Sequence, residues 1–115
     1  MTQESACRAY DVDEAFARVE VTTLGDFIGF DVVTEDGETF KAFSILVEEY
    51  ETSRLVWCLA PDSGAEPEVR SFALGIVPPG FRQLWPREGE PRVTRGVRYL
   101  VVVEGTRQAS ALFEL

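Results

Sequence analysis

The chain has 115 residues, 45% hydrophobic and 27% charged, which is the size and composition of one globular domain. Its formal net charge is −9, so nonspecific nucleic-acid binding is not expected. It holds no histidine, which removes His-based acid–base catalysis, the Ser-His-Asp and Cys-His arrangements and the usual zinc sites.

The charge is uneven along the chain. Residues 1–68 hold sixteen acids against four bases, and residues 69–115 hold four acids against seven bases. An acidic face of this kind steers a basic partner toward itself and also favours solubility. No apolar run reaches the roughly 18 residues that a membrane helix needs. "MTQESACRAYDVDE" lacks a hydrophobic signal core. A cytoplasmic location is therefore expected, or the periplasm or cell envelope if an export signal precedes Met1. Cys7 and Cys58 allow one disulfide. Cys58 stands in an apolar strand candidate, where a buried inert thiol is expected, and Cys7 stands in a polar tail.

Residues 1–16 form a tail or short helix. "DVDEAFAR" has room for a turn or two, with Asp11 or Asp13 near its N-cap. From residue 17 to 115, alternation with a period of two dominates. "ARVEVTTL" puts Val19 and Val21 on one face, with Arg18, Glu20 and Thr22 on the other. "FIGFDVVT" puts Ile28, Phe30 and Val32 on one side. "EDGE", residues 35–38, predicts a hairpin turn, since Gly37 can take positive φ. "TFKAFSILVEEY" is apolar on both parities, which predicts a bulge or a central position. In "RLVWCLA", Leu55, Trp57 and Leu59 share a face.

"PDSGAEPE", residues 61–68, reads as a loop, and "VRSFALGIV" as a strand. "PPGFRQLWPREGEPRVTRG", residues 78–96, carries four prolines and three glycines and reads as neither regular strand nor helix. "VRYLVVVEG" and "SALFEL" close the chain as a hairpin around "TRQ". The pattern predicts an all-β chain, a two-sheet antiparallel β-sandwich of about seven strands.

Val93, Gly96, Tyr99, Val101 and Val103 make one constellation. An apolar residue precedes a glycine turn, a tyrosine follows at +3, and then every second residue is valine. A tyrosine at this place turns its ring into the core, and its hydroxyl bonds to a backbone group a few residues upstream. The reading has Tyr99 pin a crossover between sheets, with Val101 and Val103 facing Trp57 across the core. The constellation resembles the sixth strand of the fibronectin type III and immunoglobulin-like superfamily. More narrowly, residues 54–115 look like the C-terminal half of small bacterial envelope proteins and lipoproteins with one such domain. The resemblance implies an immunoglobulin-like fold and an accessory role in the envelope.

Two stretches have the residue types of a docking surface. In "GFRQLWPRE", Phe81, Arg82, Leu84, Trp85 and Arg87 combine types that dominate interface hot spots. Phe81 and Leu84 also suit a plug at the end of the sandwich. In "VEEYETSR", Glu48, Glu49 and Glu51 flank Tyr50, an acidic tip for a basic partner. Asp31 with "EDGE" lacks the spaced Asp-x-Asp-x-Asp-Gly loop, so no calcium or other metal site is expected. No phosphate-binding glycine loop or nucleophile elbow occurs, and a pair of carboxylates among twenty acids is no signal. The expectation is a non-catalytic module without cofactor that binds another protein. Its forms are an envelope accessory domain or an acidic inhibitor or immunity-type protein. The alternative is a carbohydrate-binding sandwich with Trp57, Trp85 and Tyr50 as an exposed platform.

Overall fold

The computed structural model describes residues 17–35, 37–105 and 107–115. Among these it contains nine strands and no helix: β1 (Ala17–Leu24), β2 (Phe27–Thr34), β3 (Phe40–Glu49), β4 (Leu55–Pro61), β5 (Glu68–Val69), β6 (Ser71–Ala73), β7 (Phe81–Trp85), β8 (Arg98–Gly105) and β9 (Gln108–Glu114). They make two antiparallel sheets, a sandwich-like all-β arrangement. The smaller sheet has the order β1-β2-β6. The larger has the order β7-β4-β3-β8-β9, with β5 paired to β3. No helix among the described residues is long and apolar enough to cross a membrane.

The alternation in the sequence decides which side chains meet between the sheets. Val19 from β1 and Ile28 and Phe30 from β2 point inward and are buried. From the larger sheet come Ile45, Val47, Trp57, Leu59, Tyr99, Val101 and Val103, all fully buried. Each such side chain contributes about 1.5 to 3 kcal/mol by leaving water. Aromatic rings join the layers. Across the layers Phe30 lies 5.4 Å from Phe113 and Trp57 lies 6.2 Å from Phe72, while Phe30 and Phe72, partners within the smaller sheet, stand 5.0 Å apart. β3 is apolar on both parities because it is central, between β4 and β8. Its register also shifts at Ala42/Ser44 and at Val47/Glu48. Its second face joins Leu46, Cys58 and Val102 in a separate buried cluster.

Several expectations need correction. "EDGE" is not a hairpin: β2 and β3 belong to different sheets, so the turn carries the chain from one layer to the other. Gly37 does take positive φ there, at 74°. Residues 78–96 do contain a strand. β7 pairs β4 at the sheet edge, and the prolines at 78, 79, 86 and 91 all fall outside it. "VRSFALGIV" is broken into β5, which ends at Val69, and β6. Leu55 packs with the second cluster, away from Trp57 and Leu59, because the bulge opposite Glu48 changes the parity of β4. Ala17 and Arg18 belong to β1, and the rest of the helical candidate lies outside the described residues. Cys58 is not the expected thiol but is disulfide-bonded, and the other half of the bridge lies outside the described residues.

Tyr99 is fully buried and stacks on Phe113 with ring centroids 5.4 Å apart. Its loop does not cross between sheets, since β7 and β8 lie in the same sheet. The passage between layers comes earlier, between β6 and β7. Nor do Val101 and Val103 face Trp57 across the core. Val47 pairs with both Trp57 and Val101, so all three lie on one sheet with β3 in the middle.

Candidate functional site

The β3–β4 hairpin and the end of β7 meet at one side of the larger sheet. The hairpin is tight, with Ser53 at φ 60°. Ser53 N–H donates to Glu49 O at 2.9 Å, and Glu49 N–H donates to Arg54 O at 2.9 Å. The Arg54 guanidinium grips the Glu49 carboxylate through Nε at 2.9 Å and Nη2 at 2.5 Å. Thr52 Oγ1 donates to the other carboxylate oxygen at 2.7 Å. These hydrogen bonds, Arg54 first, hold the Glu49 carboxyl below its ordinary range. The same bond raises Arg54.

Tyr50 is exposed at the tip. Its backbone N–H donates to Arg98 O at 2.9 Å, and the Arg98 guanidinium carbon stands 5.8 Å from its ring centroid. The tip is thereby attached to the start of β8. Glu51 is exposed and Glu48 is half-buried. The three glutamates do not act as one free acidic face, because Arg54 neutralises Glu49.

From β7, the structure distributes the sequence-predicted residues over different surroundings. Phe81 is buried in the main core and plugs it. Arg82 and Arg87 are exposed. Leu84 and Trp85 are half-buried against the Leu46–Cys58–Val102 cluster. Trp85 then lines a hollow of about 220 Å³ together with Pro86, Arg54, Glu88, Glu90 and Arg92. Arg54 thus belongs both to the hairpin and to the hollow, and it joins the two sequence-predicted stretches into one surface. Arg82 and Arg87 do not line the hollow.

Gln83 holds this surface in shape, and no sequence motif pointed to it. Its Oε1 accepts from Trp57 Nε1 at 2.8 Å, and its Nε2 donates to Pro86 O at 2.8 Å and Gly89 O at 3.0 Å. One amide therefore ties the buried indole to the turn behind Trp85. Trp57 itself is fully buried. It cannot join Tyr50 and Trp85 in an exposed aromatic platform.

The turn of the Tyr99 constellation lies at the opposite end of β8 from Gly105. Gly96 has φ 82°, a conformation that favours glycine, in the turn where Val97 N–H donates to Thr94 O at 3.3 Å. Gly96 N–H also donates to Leu115 O at 3.2 Å. Among the described residues, no group of three His, Cys, Asp or Glu side chains is placed to hold a metal ion. No protein-family model matches the chain, and no curated protein matches it.

Proposed function

We propose that the chain is a non-catalytic protein-interaction module that docks through the β3–β4 tip and the Trp85 hollow. The observation that carries this reading is the shared Arg54. It links Glu49, in the hairpin whose tip carries the exposed Tyr50, to the hollow lined by the half-buried Trp85. Tyrosine, tryptophan and arginine are enriched among the few residues that dominate interface affinity. Of the two forms expected from the sequence, an inhibitor-like module for a basic partner has the support of the net charge of −9. The envelope accessory role rests on the resemblance alone.

We also infer kinship with the immunoglobulin-like and fibronectin type III superfamily. The order β1-β2-β6 against β4-β3-β8-β9 supports it, as does the buried tyrosine whose oxygen meets the backbone upstream. β7 departs from that scheme, as a strand inserted before β8 at the sheet edge.

The test is photo-crosslinking from positions 50 and 85 in the source cells, followed by binding measurements with the purified partner. The expected result is one basic protein captured from both positions, with affinity that falls as salt rises. Trp85→Ala is expected to weaken it by about 2 kcal/mol. Capture from neither position, or binding indifferent to Trp85 and Tyr50, would overturn the reading.

A further inference from the structure

The larger sheet is buried on its outer face as well as its inner one. Trp57 and Leu59 of β4 point into the main core, so Cys58 between them points out of the sandwich. Leu46 pairs with both Cys58 and Val102. Residues paired across a ladder point to the same side, so the three form one row on the outer face. All three are fully buried. Ser44, two residues before Leu46 on the same side of β3, is buried as well.

Neighbours in the plane of the sheet do not account for this. The partly buried apolar side chains packed against the row are Leu55, Leu84, Trp85 and Leu100, all from β4, β7 and β8 of the same sheet. They close the flanks of an outward side chain and leave its tip open to water. A sheet face loses its exposure when a further layer lies on it. The cover is local, because Leu112, on the same face toward the β9 edge, remains 47% exposed.

We propose that residues 1–16 are that layer, a strap laid across β8 and β3 and clamped to β4 by a Cys7–Cys58 disulfide. Three observations select this occupant. The row is fully buried within one chain, so its cover belongs to the chain itself. Cys58 is disulfide-bonded, and the chain's single other cysteine is Cys7, which puts the clamp inside the covered row. The reach is sufficient. Ten residue steps lead from Cys7 to Ala17, the first residue of β1, and they span about 33 Å when extended. β1 touches the edge strand β9, and the way from there to β4 takes one sheet spacing and three strand spacings, about 25 Å. The segment also brings apolar side chains of its own, Tyr10, Val12 and Phe16.

The strap closes the outer face of the larger sheet to partners, and its clamp stands opposite Trp85 in the register. Disulfides persist in oxidising compartments and are reduced in the cytosol, so this layer is conditional on where the chain resides. It holds whether or not a partner docks at the Trp85 hollow.

The test is peptide mapping of the full chain, purified without reductant, together with NMR of its methyl groups. A Cys7–Cys58 peptide pair within the monomer is expected, with NOEs from the Leu46, Leu100 and Val102 methyls to protons of residues 1–16. Cys7→Ser cannot form the bridge. It is expected to lose those NOEs and to melt about 10 °C lower. Cys58 linked to a second copy, or both cysteines recovered as thiols, overturns the proposal. So do Leu46 and Val102 methyls without NOEs to the segment, or a Cys7→Ser chain whose NOEs and melting point are unchanged. The first two readouts use the natural chain, so they decide the matter even if Cys7→Ser does not fold.

Discussion

Thr94 donates its backbone N–H to the phenolic oxygen of Tyr99 at 2.6 Å. The bond spans the turn that delivers the chain into β8, and the ring below it is fully buried. A hydroxyl otherwise costly to bury thus gains a partner and fixes the entry angle of the strand. Tyr99→Phe keeps the ring and loses the oxygen. It is expected to cost about 1 to 2 kcal/mol in urea unfolding. Tyr99→Leu also loses the stack on Phe113 and is expected to cost about 2 to 4 kcal/mol.

Gln83 is expected to matter twice. Gln83→Ala leaves the buried Trp57 indole N–H without its acceptor and releases the carbonyls of Pro86 and Gly89. The expected loss is about 1 to 3 kcal/mol of stability, read from denaturant melts. Amide exchange in residues 87–89 rises in the same variant. A variant with unchanged exchange there would show that the turn holds its shape without the amide.

Gly105 is opposite Ala42 where β3 and β8 shift register. A Cβ at Gly105 would collide with the Lys41 carbonyl oxygen. Backbone is the obstacle, so no flexible side chain can yield. Gly105→Ala is expected to cost about 2 to 4 kcal/mol in thermal or urea unfolding.

Glu49 gives the hairpin a pH dependence. Its folded-state carboxyl is depressed by the bonds from Arg54 and Thr52. Its contribution is therefore complete above the ordinary carboxylate value, about 4.3, and is lost as pH falls through the depressed one. Arg54 remains charged across that window. The expected result is a smaller protection factor, the exchange rate of the unprotected amide at the same pH relative to that observed, at Ser53 and Arg54 in acid, followed by NMR. Glu49→Gln removes the acid-dependent change.

Much of the fold can be read from alternation. Val19, Ile28 and Phe30 announce their inward faces, and the two-sided apolar pattern of β3 announces both its central place and its bulges. Tyr99 stands out because glycine and valine spacing surround it. β7 does not, because four prolines in its neighbourhood suggest loop even though none falls inside it. The parity of Leu55 fails for a different reason: one extra residue in β4 flips the side chains that precede it, and no local residue type marks the spot. The meeting of the β3–β4 hairpin and Trp85 through Arg54 depends on β4 pairing β7, a contact between distant segments. Leu24 and Phe27 are both exposed. Leu24 and Phe27 break the polar parity of their own strands on either side of the Gly25–Asp26 turn.

The order of strands in the larger sheet also sets a schedule for synthesis. β3 meets β4 within a hairpin, but its other neighbour does not begin until Arg98. A nascent chain must therefore release nearly its whole length from the ribosome before β3 gains the strand that pairs it from Ala42 to Glu49. During that interval an apolar edge stays unpaired, the kind of exposure that makes partly folded chains prone to aggregate.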